Sequence, residues 1–115
     1  MANRLTLGRM HAQESAAAAA VRSLHLVESR YRSQYGRWAV SLAELGMPAS
    51  GAASESAAGL LGGSLATGRM GGYHFTLAGT PEGYAIAAVP NSFGNSGAIK
   101  FYSDQTQVVR ESRSR

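Results

Sequence analysis

The 115-residue chain has no cysteine, three prolines and seven acidic residues against eleven Lys and Arg. Without cysteine there is neither a disulfide framework nor a thiolate metal site. Few prolines leave room for an unbroken long helix. The acidic residues stand singly along the chain, so no carboxylate pair is laid out for general acid and base work. No stretch reaches the roughly 18 uncharged apolar residues of a membrane helix, and the N-terminus lacks the apolar centre of a signal peptide. The chain as given is therefore expected to be soluble. Its opening "MANRLTLGRM" places Leu5, Leu7 and Met10 at the head of a helix with nothing before them, as in a helix cut from a longer one.

Catalytic motifs are absent too. "HAQE" (His11, Glu14) and "HLVE" (His25, Glu28) each set a His and a Glu one helical turn apart. The two pairs lie ~21 Å apart at 1.5 Å per residue, too far to share an ion. They read as polar residues on a solvated or interfacial face. His74 has no Ser or Asp at triad spacing, and "GLLGGSLATG" lacks the GxxxxGK[ST] pattern of a phosphate cradle. The expectation is a non-enzyme without cofactor, metal or small-molecule substrate.

What is present is helix, then strand. From Leu5 onward no proline intervenes, and Met10, Ala17, Leu24, Tyr31 and Trp38 recur every seven residues with Val21, Val27 and Tyr35 between them. The pattern predicts one helix from about Asn3 to Tyr35, stopped by Gly36, with its first turns projecting. Its opposite side carries Arg22, Ser29, Arg32 and Ser33, and Glu28 precedes Arg32 by four, the favourable spacing for an exposed pair. "SLAEL" from Ser41 has capping-box spacing and predicts one helical turn ending at Gly46. Residues 37–72 form a Gly/Ala/Ser-rich connecting region, with a further short helix expected around Ala57 to Leu65.

After Gly72 the period changes to two. Tyr73, Phe75 and Leu77 alternate with polar neighbours, as do Tyr84, Ile86 and Ala88, then Ile99 and Phe101. "GTPEG" predicts a hairpin between the first two strands. A third strand follows the loop "PNSFGNSG", and a short last strand is expected at Val108 to Arg110. The tail 111–115 is expected to be loosely held. The result is an α+β domain spanning 1–115: helix 1–36, connecting region 37–72, antiparallel sheet 73–110. The expected helix and sheet core is Val21, Leu24, Val27, Tyr31, Tyr35, Tyr73, Phe75, Tyr84, Ile86 and Phe101, with Tyr31 and Tyr35 on the apolar sheet face and Tyr102 on the outer one.

This order of pieces resembles the type IV pilin family, including the major pseudopilin of type II secretion. The stretches concerned are "ESAAAAAVRSLHLVESRYRSQYGRW", "SLAELG", "LLGGSLATGRMGGYHFTL" and "YAIAAVPNSFGNSGAIKFYSDQTQVVR". The resemblance implies a subunit of an extracellular helical filament or periplasmic pseudopilus, anchored in the inner membrane before assembly. Its partners would be other copies of itself and the assembly machinery. Leu5, Leu7, Met10, Ala16, Ala17 and Ala20 would then remain from a subunit interface. Three features depart from the family: the N-terminal half-helix is missing, Gln107 stands where a glycine follows the "SDQ" turn, and no disulfide can close the C-terminal loop. Pseudopilins often hold that loop with calcium, for which Asp104 is the candidate here. Calcium takes about six to eight oxygens, and only Glu82 and Glu111 could add carboxylates. A different reading rests on the net charge of +4: a basic binding module for DNA or acidic glycans.

Overall fold

The computed structural model describes residues 4–94 and 96–113, with side chains from residue 8 onward except residue 64. The chain opens with helix α1, Arg4–Tyr35, 32 residues long. At 1.5 Å per residue it spans ~48 Å, the full 49 Å long axis of the molecule. It ends because Gly36 takes φ +75°, the left-handed conformation that costs glycine little, and returns its N–H to the Arg32 carbonyl at 2.8 Å.

Two one-turn helices follow, α2 (Leu42–Leu45) and α3 (Gly63–Ala66). Ser41 caps α2 by accepting the Glu44 N–H at 3.3 Å. The reciprocal arm of the expected capping box is displaced by one residue: Glu44 Oε1 accepts from Val40 N rather than from Ser41 N. The helix expected over Ala57 to Leu65 shrinks to α3. Residues 57–61 instead lie extended beside α2, where the N–H groups of Ala58, Leu60 and Leu61 donate to the Glu44 and Leu45 carbonyls. Three glycines in that stretch make helix the weaker competitor for those groups.

The sheet is a five-stranded antiparallel meander, β1 (Arg69–Met70), β2 (Tyr73–Thr80), β3 (Gly83–Pro90), β4 (Lys100–Asp104) and β5 (Arg110–Ser112), in sequential order. The expected hairpin forms, with Thr80 paired to Gly83 across Pro81 and Glu82. Two boundaries differ from expectation. β1 adds a short edge strand inside the connecting region, and β5 begins at Arg110 and continues through Glu111 and Ser112, which pair with Phe101 and Lys100. The segment expected to be loose from Glu111 onward thus starts with two ladder residues; Ser114 and Arg115 lie outside the described residues.

One face of the sheet is covered by α1. Val21, Leu24 and Tyr31 from the helix join Tyr73, Phe75, Leu77, Tyr84, Ile86, Ala88, Ile99 and Phe101 in one buried cluster, with Val27, Tyr35 and Trp38 packed at its margin. Tyr31 is fully buried, but its hydroxyl donates to the Glu55 carbonyl and the Arg37 guanidinium lies 5.2 Å over its ring. Beyond the expected place on the apolar sheet face, its polar end is thus directed into the connecting region. Trp38 meets Tyr84 edge-on at 5.0 Å.

The helix is covered further toward its start than expected. Met10 is buried, and the loop between β3 and β4 reaches back to this level through a hydrogen bond from Ala98 to Glu14. Any projecting part is confined to the turns before Met10, because that loop extends the sheet layer.

Candidate functional site

The stripe of α1 that faces the sheet is not purely apolar. Glu14, His25 and Glu28 are buried on it, at 7%, 5% and 0% exposure. The reading of these residues as polar groups on a solvated or interfacial face is corrected for the three, which are buried against the chain's own sheet and the segments beside it, while His11 is exposed. Glu28 follows Leu24 by four and precedes Tyr31 by three, so helical periodicity turns it inward whatever its polarity. Its expected pair with Arg32 does not form; Arg32 stacks 4.7 Å over the Trp38 ring.

Each buried polar group holds a different part of the fold. Glu14 Oε2 accepts the Ala98 N–H at 2.8 Å, fixing the loop ahead of β4. Glu28 Oε1 accepts the Ala39 N–H at 2.7 Å, fixing the segment that leaves the helix. Between them, His25 Nδ1 lies 2.7 Å from the Tyr84 hydroxyl on β3, and Nε2 lies 2.7 Å from Ser103 Oγ on β4. Ser103 Oγ in turn donates to the Val108 carbonyl at 2.9 Å. Because the serine proton is used there, Oγ accepts from Nε2–H, which leaves Nδ1 to accept from Tyr84. The relay is therefore Tyr84 to His25 to Ser103 to Val108, every member neutral.

Burial sets the proton affinities of this seam. It holds the His25 imidazole below its usual range, with Asp104 pulling weakly the other way. It pushes the Glu28 carboxyl up to about 7, against the opposing hydrogen bond from Ala39, and raises the Tyr84 hydroxyl to about 12. Chemically, the serine and imidazole have the spacing of a nucleophile and base but the reverse proton arrangement. The imidazole gives its proton to the serine oxygen and cannot take the serine's. This geometry is a clamp between helix and sheet.

Elsewhere, Asp104 Oδ1 accepts both the N–H and the hydroxyl of Thr106, at 2.9 and 2.6 Å. Its carboxylate serves its own turn. Among the described residues no three His, Cys, Asp or Glu side chains gather as a metal site. Gln107, in the glycine position of that turn, keeps the positive φ of +66° that a glycine would favour.

Of the residues expected at a subunit interface, Met10, Ala17 and Ala20 are buried within the chain's own fold, Ala16 is exposed, and the side chains of Leu5 and Leu7 lie outside the described residues. The correction is one of helical phase: Ala17 and Ala20 share the turn of Val21 and Leu24, while Gly8, Ala12, Ser15, Ala16, Ala19 and Ser23 line the exposed side. Leu26, 68% exposed, continues that side.

The fold and its polar seam define an α+β protein built from one long helix clamped to one face of an antiparallel meander. No described helix is long and apolar enough to cross a membrane. No family model, curated protein or solved structure matches the chain.

Proposed function

We propose that this chain is the structural subunit of a type IV pilin-like filament, joining other copies through α1. The observation that carries the reading is the two-sidedness of that helix. One side is locked to the sheet by an apolar stripe and three polar anchors. The other runs from Gly8 to Ser23 through Ala12, Ala16 and Ala19, small side chains that let a neighbouring helix approach closely. The sequence resemblance supports it through the order of long helix, glycine-rich connection and closing strands. A head-to-tail contact whose rotation does not close into a ring generates a helical filament.

Because the chain has no cysteine of its own, single-cysteine variants test this cleanly. The full-length gene is expressed with its own assembly machinery, and sheared surface material is treated with a short bis-maleimide. Subunits carrying Ala16→Cys coexpressed with subunits carrying Ser23→Cys should cross-link along the exposed side of α1, whereas Thr76→Cys on the far sheet face should cross-link with neither. Failure of the processed, well-expressed protein to form filaments overturns the reading.

A further inference from the structure

The fold uses up most of its negative charge internally. Glu14 and Glu28 are buried on backbone N–H groups, Glu44 and Glu55 both pair with Arg37, and Asp104 serves Thr106. That accounts for five of the seven acidic residues. Among the described basic side chains Arg37 forms both of the ion pairs, and two of the glutamates, Glu14 and Glu28, are buried, so the surface is more cationic than the net charge suggests.

The outer face of the sheet, opposite α1, concentrates one part of that charge. Strand register puts Tyr102 directly opposite Arg110 on β5 and Ala87 on β3, with Lys100 two residues before it on the same face. Lys100 and Arg110 are thus diagonal neighbours ~7–8 Å apart, with the 39% exposed Tyr102 ring between them. The Lys100 ammonium lies 6.0 Å over that ring. Beside Tyr102 is a cleft of about 170 Å³ walled by Ala85, Ser103, Asp104, Val108 and Arg110, the size of a single ring; Asp104 is held by Thr106. Arg69 lies on the same face at the far edge, three strands away or ~14 Å. Asp104 is the one acid at a register position of this face; Glu111 pairs with Phe101 and belongs to the helix side.

We infer that the outer face of β4 and β5 binds a single strand of nucleic acid, one base stacked on Tyr102 and phosphates held by Lys100 and Arg110. An exposed aromatic ring set between two cations matches the alternation of planar base and phosphate, and requires no base-specific hydrogen bond. A lipid surface would need a wider apolar patch than Ala85, Ala87 and Val108 supply. This site lies on the face away from α1 and is independent of the filament reading.

The test is fluorescence anisotropy with a labelled oligothymidylate at about 50 and 200 mM salt. Binding should weaken as salt rises. Tyr102→Ala should lose about 5-fold or more at either salt, Tyr102→Phe should retain affinity, and Arg110→Ala should flatten the salt dependence. Arg22→Ala and Arg30→Ala on α1 remove the same charge and should change affinity less than about 2-fold. Equal losses from the helix and sheet arginines with no effect of Tyr102→Ala would overturn the site, reducing the interaction to net charge. So would binding of heparin or anionic vesicles by a protein that ignores the oligonucleotide.

Discussion

Glu28 Oε1 accepts the Ala39 N–H at 2.7 Å while Glu28 Oε2, also buried, has no hydrogen-bond partner among the described residues. Burial of the whole group favours the protonated form, and the single hydrogen bond from Ala39 opposes it only in part.

A pH dependence follows from that asymmetry. The Glu28 carboxyl sits at about 7 in the folded chain against an ordinary 4.5. The folded state therefore holds this proton more tightly, and the stabilisation is complete below pH 4.5 and lost as pH rises through 7. The full swing is about 3 kcal/mol. Glu28→Gln keeps an acceptor for Ala39 and removes the titration. The urea midpoint of the variant, measured against that of the native chain, should be relatively higher at pH 8 than at pH 5, since only the opposing contribution of His25 is left in it; an equal change with pH in both proteins refutes the assignment.

His25 acts in the opposite direction. Its affinity is lowered by burial, so its contribution to stability is present above pH 6.5 and lost as pH falls below that value. Long-range nitrogen–proton spectra should show His25 neutral at pH 6.5 with the proton on Nε2. A signal from protonated Nδ1 at that pH would break the relay from Tyr84 to Ser103.

The turn at Gln107 carries a conformational cost. A non-glycine residue at φ +66° forgoes about 1 kcal/mol or more relative to glycine, partly offset by glycine's greater freedom in the unfolded chain. Gln107→Gly should stabilise by about 0.5 kcal/mol and Gln107→Val should destabilise by about 1 kcal/mol or more. Thermal midpoints in the reverse order would mean that the turn does not hold this conformation.

Neighbouring positions at the end of α1 should differ sharply. Tyr31→Ala opens a cavity in the core and strands the Glu55 carbonyl, at about 3 to 5 kcal/mol. Arg32→Ala removes an exposed stack on Trp38, under about 1 kcal/mol. Similar denaturation midpoints for the two variants would contradict the helical phase.

Gly97 is needed for space rather than for conformation. A Cβ there would overlap the Tyr73 hydroxyl and lie 2.8 Å from its ring, while that hydroxyl donates to the Ile99 carbonyl at 2.6 Å. Gly97→Ala should cost about 1 to 3 kcal/mol and raise the exchange rate of the Ala98 amide held by Glu14. Unchanged exchange would show that the loop yields without releasing that anchor.

Most of the architecture was legible because it is written in periodicities. Seven-residue spacing from Met10 to Trp38 located the helix and its inner stripe, and alternation from Tyr73 to Phe101 located the central strands and their faces. The polar seam was not legible by composition, since Glu14, His25 and Glu28 look like surface residues. Their position in the helical phase of Leu24 and Tyr31 was the available signal, and it outranks polarity once a backbone N–H or hydroxyl waits on the other side. β1 escaped because two residues between glycines carry no period. Met10 and Ala17 lie on the inner stripe by that same seven-residue spacing, and Ala20 beside it; their place in a subunit interface comes from the resemblance rather than from phase, and all three are buried in the chain's own fold.

The meander also dictates when the molecule can close. α1 is made before the strands, and although the connecting region supplies some partners for its inner stripe, such as Ala39 for Glu28, the imidazole of His25 waits for a serine 78 residues later. Until the strands are made the helix has only the small apolar surface of the connecting region, Ala39, Leu45 and Leu61, to rest on, and a helix with little packing is held mainly by its own propensity. The strands, by contrast, pair with their immediate successors and can zip in order as they emerge. The sheet is thus the part that can form during synthesis, and the element made first is the last to settle.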